Sequence, residues 1–277
     1  MTDLHPAESL GAQSPIRTLR LLRLLGDAGT AGLSLAGLVA QSGLSKPTCR
    51  RLLIALMEEG MAVQDPATRL YFLGREIYLL GMVAGDRYGI HRVALDSVTR
   101  LAQRTGDAAF LQVRHGDDVV CLVREDGTFP LRSHVLKAGD RHLLGAGAGP
   151  LAILGALPEA EAEAYLAGHA RPLAERYPAL GPLLPGLLRE TRERGYSLNR
   201  GVLFPGSWGM AMAIRGPSGR IEACLSLAAV ESRMQPDREP ELAALLAGEV
   251  RLVEQRLARE PGPATPLPGS TRRKPSP

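Results

Sequence analysis

The sequence predicts a mixed α/β protein in two domains: a small helical domain closed by a hairpin, then a larger one built on an antiparallel sheet. Three observations predict it. Residues 14–58 hold three short segments with helical apolar spacing, separated by glycine-containing turns. From Ala108 the spacing changes to alternation, in two paired runs with turn residues between them. The chain has 277 residues and is 45% hydrophobic, enough for two separate cores.

The elements follow in order. Ser14-Pro15 reads as a helix start, with Ser as N-cap and Pro in the first turn. IRTLRLLRLLGDAG continues that helix to Gly26 and Gly29. SLAGLVAQSG is a second helix, from Ser34 to Gly43, and a third begins at Ser45. In MAVQDPATRLYFLG two extended runs flank the turn cluster Asp65-Pro66-Ala67-Thr68. REIYLLGMVAGDRYG is helical, and another helix runs from Ile90 to Thr105. AFLQVRHGDDVVCLVRED is a hairpin about Gly116-Asp117. A loop region through LKAGDRHLLGAGAGP turns helical near Gly149, and helices follow around 159–168 and 180–194. WGMAMAI and RIEACLSLA form a second hairpin across Gly216-Pro217-Ser218-Gly219, and a helix from about Glu239 to Arg259 completes the fold. This gives domains at 14–74 and 89–259, a linker helix at 75–88, and disordered tails at 1–13 and 261–277, the latter Pro-rich and basic.

Composition narrows the function. The formal charge of +4 permits a nucleic-acid partner without demanding one, so the placement of basic residues matters more than their sum. Cys49, Cys121 and Cys224 are far apart and apolar in setting, which fits a reducing cytoplasm. No stretch approaches the roughly 18 apolar residues of a membrane span. The six histidines form neither HxH nor HExxH, so no metal or other cofactor is expected. GAGAG at 145–149 lacks the GxGxxG and GK[ST] patterns of nucleotide loops, and its glycines are better read as letting backbone amides approach a ligand. PGSWG is not a nucleophile elbow, and Asp117-Asp118 are turn residues, so an enzyme has little support.

The third helix carries the sharpest signal. Cys49, Leu52, Leu53, Leu56 and Met57 form one stripe, while Pro47, Arg51, Ile54 and Glu58 face away. Ser45, Lys46, Thr48, Arg50 and Arg51 gather at its N-terminal end, and Glu58 and Glu59 at the other. This opposes the helix dipole, at a cost of about a few tenths of a kcal/mol per base. A solvated basic face is the bland account. A helix that enters the DNA major groove by its N-terminal residues is the other, since a polyanionic partner removes that cost. The three-residue turn Ser42-Gly43-Leu44 suits a helix-turn-helix, and DPATRLY suits a wing that places Arg69 near phosphate. Arg17, Arg20 and Arg23 add charge on the first helix.

These features resemble the IclR family of transcriptional regulators. SPIRTLRLLRLL, LSLAGLVAQSGLSKPTCRRLLIALMEEGMAV, RLYFLGREIYLLG, KAGDRHLLGAGAGPLAILGALP, RERGYSLNRG and GMAMAIRGPSGRIEACLSLA carry the likeness over about 14 to 258. The words are individually weak; their order and spacing are specific. The resemblance implies an N-terminal winged helix-turn-helix, a linker helix, and a C-terminal GAF-like α/β domain that binds a small organic effector. It implies homodimers, often paired into tetramers, on double-stranded operator DNA, with an effector that is aromatic or another small carboxylate.

On its own pattern, a simple register about Pro217-Ser218 sets Gly209 against Ser226 and Ala211 against Cys224. Gly209, Ala211, Ala213, Cys224, Ser226 and Ala228 then share a small face, and Trp208, Met210, Met212, Ile214, Leu225 and Leu227 a large one. The small face either packs closely on a helix or floors a cavity with Ser226 and Cys224. The resemblance favours the cavity and implies effector contacts at Gly147, Ala148, Asn199, Gly209, Ser226 and Ala228. Asn199 stands where an acid can occur in the family, and Pro150 where Lys is frequent, which fits a larger, partly apolar ligand. Arg141 or Arg200 either pairs a ligand carboxylate or makes an ordinary exposed salt bridge. An effector-independent DNA-binding protein is the alternative.

Overall fold

The computed structural model describes residues 13–87, 89–131 and 136–259. It divides into two compact units that meet in sequence between Arg87 and Tyr88.

The first unit packs α1 (Gln13–Ala28), α2 (Leu35–Ser42) and α3 (Lys46–Glu58) around Leu21, Leu25, Leu38, Cys49, Leu52, Leu53 and Leu56. The Ser34 hydroxyl caps α2 by accepting from Gly37 N at 3.1 Å, and Gly43 ends it in the left-handed region. Ser45 caps α3, with Pro47 in the first turn where its missing N–H costs no helix bond. Two details of α1 differ from expectation. The helix already includes Gln13, so Ser14 lies inside it and is not the N-cap; its carbonyl accepts from the Thr18 hydroxyl. Gly26 does not end it either, because burial of Leu25 holds the helix to Ala28, and a 3-10 turn follows at Gly29–Ala31. The predicted tails otherwise lie outside the described residues.

The wing is the antiparallel pair β1 (Ala62–Gln64) and β2 (Tyr71–Leu73). Asp65 holds its turn, one carboxylate oxygen accepting from Ala67 N, Thr68 N and the Thr68 hydroxyl at 2.7–2.9 Å. Those bonds hold the Asp65 carboxyl below the usual range. Leu33 adds a bridge to Tyr71 that was not foreseen, widening the wing by one residue of a third strand. Gly74 joins the wing to α4 (Arg75–Arg87): a Cβ there would fall 2.0 Å from the Gly60 carbonyl oxygen. None of residues 75–85 of α4 is buried; Tyr78 is 66% and Val83 74% exposed, and Leu79, Leu80 and Met82 are exposed as well.

The second unit is a six-stranded, wholly antiparallel sheet in the order β5-β4-β3-β8-β7-β6. The strands are β3 (Ala108–His115), β4 (Asp118–Glu125), β5 (Arg141–Leu143), β6 (Ser197–Arg200), β7 (Ser207–Arg215) and β8 (Ile221–Val230). The large face of the β7–β8 hairpin meets α5 (Ile90–Thr105) and α9 (Glu239–Arg259) through Val98, Leu101, Met210, Ile214, Leu225, Leu227, Leu246 and Val250. The other face meets α6 (Ala148–Ala156), behind which lie α7 (Glu159–Arg176) and α8 (Leu184–Arg194). Because β3 is covered on both sides, its run AAFLQ is buried throughout.

The hairpin register differs from the simple one. Gly209 pairs with Ala228, Ala211 with Ser226 and Ala213 with Cys224, a shift of two, with an irregularity at Ile214/Arg215. The tight turn Gly216–Gly219, closed by Gly216 N to the Arg220 oxygen at 2.8 Å, places the bend later than an ungapped pairing does. A two-residue shift keeps each side chain on its face, so the small face survives. Strands β5 and β6 escaped the sequence reading: each is three or four residues, at a sheet edge, and held by a single neighbouring strand. The helix predicted at 159–168 runs on to Arg176 through Pro172, because Leu173 is buried beyond it.

Candidate functional site

The predicted DNA-contacting residues are all in the first unit. Ser45, Lys46, Arg50 and Arg51 are exposed and Thr48 is half-buried along the N-terminal half of α3, whose opposite stripe of Cys49, Leu52, Leu53 and Leu56 is sealed in the core. The Ser45 and Thr48 hydroxyls are 2.9 Å apart and hydrogen-bonded. No hydrogen bond or ion pair engages the side chains of Lys46, Arg50 and Arg51 among the described residues. Ile54, 41% exposed, shares the outward face with Arg51. Arg17 on α1 is exposed and bonds Gln13 at 2.9 Å. Arg69, at the end of the wing turn, is the one described non-glycine residue with positive φ, +62°. Two bonds hold it there: Arg69 N donates to the Asp65 carbonyl at 2.9 Å, and its own carbonyl accepts from the Gln64 amide at 3.0 Å.

The second unit holds a cleft of about 500 Å³, including its open mouth, at the N-terminal end of α6. Gly147, Ala148, Asn199, Gly209, Ser226 and Ala228 line it together. Cys224 does not. It is fully buried between the sheet and α6, beside Leu151 and Ile153, because the two-residue shift in register carries it towards the middle of the helix. Both accounts of the small face therefore hold in part. Helix α6 covers Cys224, and its first turn touches the sheet where a Cβ on Gly209 would stand 3.1 Å from that of Ala148. Beyond that turn, Gly209, Ser226 and Ala228 stay open to the cleft.

The glycines of GAGAG have two different duties. Gly147 caps α6 at φ +100°, a backbone state that disfavours side chains. Gly149 makes room for protein: a Cβ there would fall 2.3 Å from Gln112 Nε2. That amide donates to the Ser226 hydroxyl at 2.7 Å. The Ser197 hydroxyl ties β6 to the same turn by donating to the Ala148 carbonyl at 2.6 Å. Among the described residues, the backbone N–H groups of Gly147, Ala148 and Gly149 have no partner.

Asn199 accepts from Val202 N at 3.0 Å, which fixes the loop after β6 and leaves its NH₂ as a donor. Apolar walls come from Phe110, Leu136, Leu203, Phe204 and Trp208. The sequence reading missed them, since they come from four separate stretches of the chain. Among the described residues, no Asp, Glu, Lys or Arg lines the cleft. Arg200 pairs with Glu239 at 3.1 Å, and Arg141 is exposed outside the lining, so neither supplies a cation to it.

His142 is the one ionisable side chain among the described lining residues. Burial lowers its pKa, and the nearby Arg176 cation adds to the effect. The sign follows from linkage. With a folded pKa below the unfolded value of about 6.5, the unfolded chain takes up the proton first as pH falls. The associated stability is complete above that value and lost below it. Between pH 7 and 5.5 the urea midpoint of the wild-type protein should fall further than that of His142→Gln; equal falls would refute this. Burial likewise pushes the Cys121 thiol up to about 12 and raises Cys224, so both are poor nucleophiles. Among the described residues, no group of three or more His, Cys, Asp or Glu is placed to hold a metal ion, and no helix is long and apolar enough to cross a membrane.

Comparison with known proteins places this geometry. The family model for the bacterial transcriptional regulator IclR C-terminal domain matches residues 82–254, and that for the IclR helix-turn-helix domain matches 14–66. The glycerol operon regulatory protein of Streptomyces griseus is 29% identical over 231 residues, covering 82% of this chain and 89% of that protein. The HTH-type transcriptional regulator KipR of Bacillus subtilis is 27% identical, covering 82% and 90%. Among solved structures, an IclR-type regulator from Alicyclobacillus acidocaldarius superposes with a TM-score of 0.75 at 23% identity, over 87% of this chain and 97% of that one. An IclR homologue from Microbacterium hydrocarbonoxydans, solved with 4-hydroxybenzoate, superposes with a TM-score of 0.73 at 21% identity, over 88% and 99%.

Proposed function

Since the chain belongs to the IclR family of bacterial transcriptional regulators, we propose that it binds a pseudo-palindromic operator as a homodimer or tetramer and that an aromatic carboxylate in its C-terminal cleft changes its operator affinity. The protein is a transcriptional regulator with a helix-turn-helix domain and a C-terminal ligand-binding domain, and not an enzyme.

On the DNA side, Lys46, Arg50 and Arg51 offer free cations at the helix end that a major groove admits first. Ser45 and Thr48 sit in the same turn, with hydroxyls suited to phosphate or base edges. Arg17 and Arg69 flank them as phosphate contacts, the Gln13 bond of Arg17 being exposed and easily exchanged. The exposed Tyr78, Met82 and Val83 of α4, with Ile16 and Leu19 of α1, are more apolar surface than a lone chain keeps in water, which supports self-association. The regulatory route runs through α4: the effector shifts the balance between two arrangements of the DNA-binding units only by binding one of them more tightly.

The donor inventory of the cleft carries the ligand assignment. Among the described residues, three unpaired amides at a helix start and the Asn199 NH₂ offer hydrogens, while no acidic side chain lines the cleft to repel an anion. Helix N-termini take carboxylates. The apolar walls from Phe110, Leu203, Phe204 and Trp208 favour an aromatic ring over a two- or three-carbon keto-acid.

Benzoate and 4-hydroxybenzoate are expected to quench Trp208, the chain's one tryptophan, and to give binding heat by calorimetry, whereas glyoxylate and pyruvate are not. On an operator selected from random duplex DNA, the bound acid should change affinity by about 5- to 150-fold. Tight keto-acid binding with no aromatic binding would refute the ligand class. Unchanged operator affinity with a bound acid would refute the coupling and leave the effector-independent alternative.

A further inference from the structure

The edge of the sheet beside the cleft is finished in an unusual way. Strand β5 has one neighbour, β4, so its outer backbone groups need other partners. The end of α7 reaches them: Arg176 donates to the Arg141 carbonyl at 3.0 Å. Next along β5 sits His142, which lines the cleft and whose Nδ1 is 3.1 Å from the Tyr177 oxygen.

This arrangement decides where the imidazole carries its proton. Among the described residues the Tyr177 hydroxyl has no other acceptor, so its O–H donates to Nδ1. A neutral ring that accepts at Nδ1 carries hydrogen on Nε2. Assigned from the hydrogen-bond network in this way, Nε2–H is a donor with no partner among the described residues. The Arg176 guanidinium, stacked 5.4 Å over the Tyr177 ring, keeps a positive charge near enough to oppose a second proton.

We infer that His142 is a specificity-determining residue of the effector cleft, donating Nε2–H to an oxygen of the ligand, and that Tyr177 is the positioning residue that fixes this tautomer. The inference rests on the reading of the cleft as an aromatic-acid site and deepens it. The amides at the start of α6 and the Asn199 NH₂ in the same cleft are donors as well, which suits a ligand that presents acceptor oxygens. His142 then adds neutral recognition without the charge that an arginine would bring. An amine or amidinium at the same place on a ligand would meet a hydrogen and be rejected.

The test combines nitrogen-15 NMR of the histidine rings with calorimetry, using the full chain and benzoate and 4-hydroxybenzoate as probes. In the free wild-type protein at pH 7, the His142 ring should show the Nε2–H tautomer; in Tyr177→Phe it should become a mixture. His142→Leu and Tyr177→Phe should each weaken the tighter-binding acid by roughly three- to tenfold, the range of one neutral hydrogen bond. His142→Gln, which restores an N–H, should recover most of the loss, a rescue that a purely packing role would not give. A thermal melt of each variant separates misfolding from lost recognition. An Nδ1–H tautomer or an imidazolium in the free protein overturns the inference, as does wild-type affinity in His142→Leu. If wild type binds neither acid, the aromatic-acid reading itself fails and takes this inference with it; if wild type and His142→Leu bind alike, the inference fails alone.

Discussion

Arg51→Ala is expected to weaken specific operator binding by about 5- to 150-fold, ~1–3 kcal/mol, and to relax discrimination at one or two base pairs. The argument starts from α3. Its inward stripe leaves no freedom of rotation, because Cys49, Leu52, Leu53 and Leu56 are all buried against α1, α2 and β1. Arg51 therefore points away from the core, at the exposed end that has helix-opposing charge, and no acid neutralises it among the described residues. A guanidinium so held can present two N–H groups to guanine O6 and N7. The change creates no cavity, so the melting temperature should stay within about a degree or two, the usual reach of surface substitutions. Arg69→Asn makes the contrast. Asn tolerates the left-handed backbone better than most residues, so it removes the charge while preserving the wing turn. It should weaken all DNA sequences alike and flatten the salt dependence. Binding by gel shift or anisotropy at two salt concentrations checks both. Unaltered affinity in Arg51→Ala would mean that another face of the unit meets DNA.

Asp107→Ala should destabilise the second unit by about 2–4 kcal/mol, a little under the usual penalty for breaking a buried ion pair because the arginines keep some solvent. The Asp107 side chain is 2% exposed and binds both Arg233, at 2.5 Å, and Arg238, at 2.6 Å. The same two arginines also donate to the Thr105 carbonyl at 2.8 and 2.7 Å. This knot closes the end of α5 onto the segment between β8 and α9, and Arg233 lies 4.0 Å over the ring of Phe129. Removing the carboxylate strands two cations in a partly dry site. Trp208 fluorescence during urea unfolding reads this unit alone. Asp107→Asn should cost less than Ala, since it keeps an acceptor. Equal midpoints for wild type and Asp107→Ala would show that the knot contributes nothing net.

The legibility of the two sites differed for a physical reason. The exposed, charged face of α3 could be read because a helix is a local object: a period of 3.6 sorts Cys49, Leu52 and Leu53 from Lys46, Arg50 and Arg51 without knowledge of the rest of the chain. The same holds for the caps at Ser34 and Ser45 and for the turn at Asp65, each made by neighbours within a few residues. The cleft is not local. Phe110, Gln112, His142, Phe204 and Trp208 come from strands and loops far apart in sequence.

Sequence alone determined the order of the elements, the alternation that makes one face of β7 and β8 small, and the end of α3 that carries charge. Tertiary structure alone decided the hairpin register that withdraws Cys224 from the cleft, the edge strands β5 and β6, and the pairing of His142 with Tyr177. Periodicity states which side a residue faces, because backbone geometry repeats along the chain. What it meets on that side is set by partners more than thirty residues away, through packing and hydrogen bonds that no local pattern encodes.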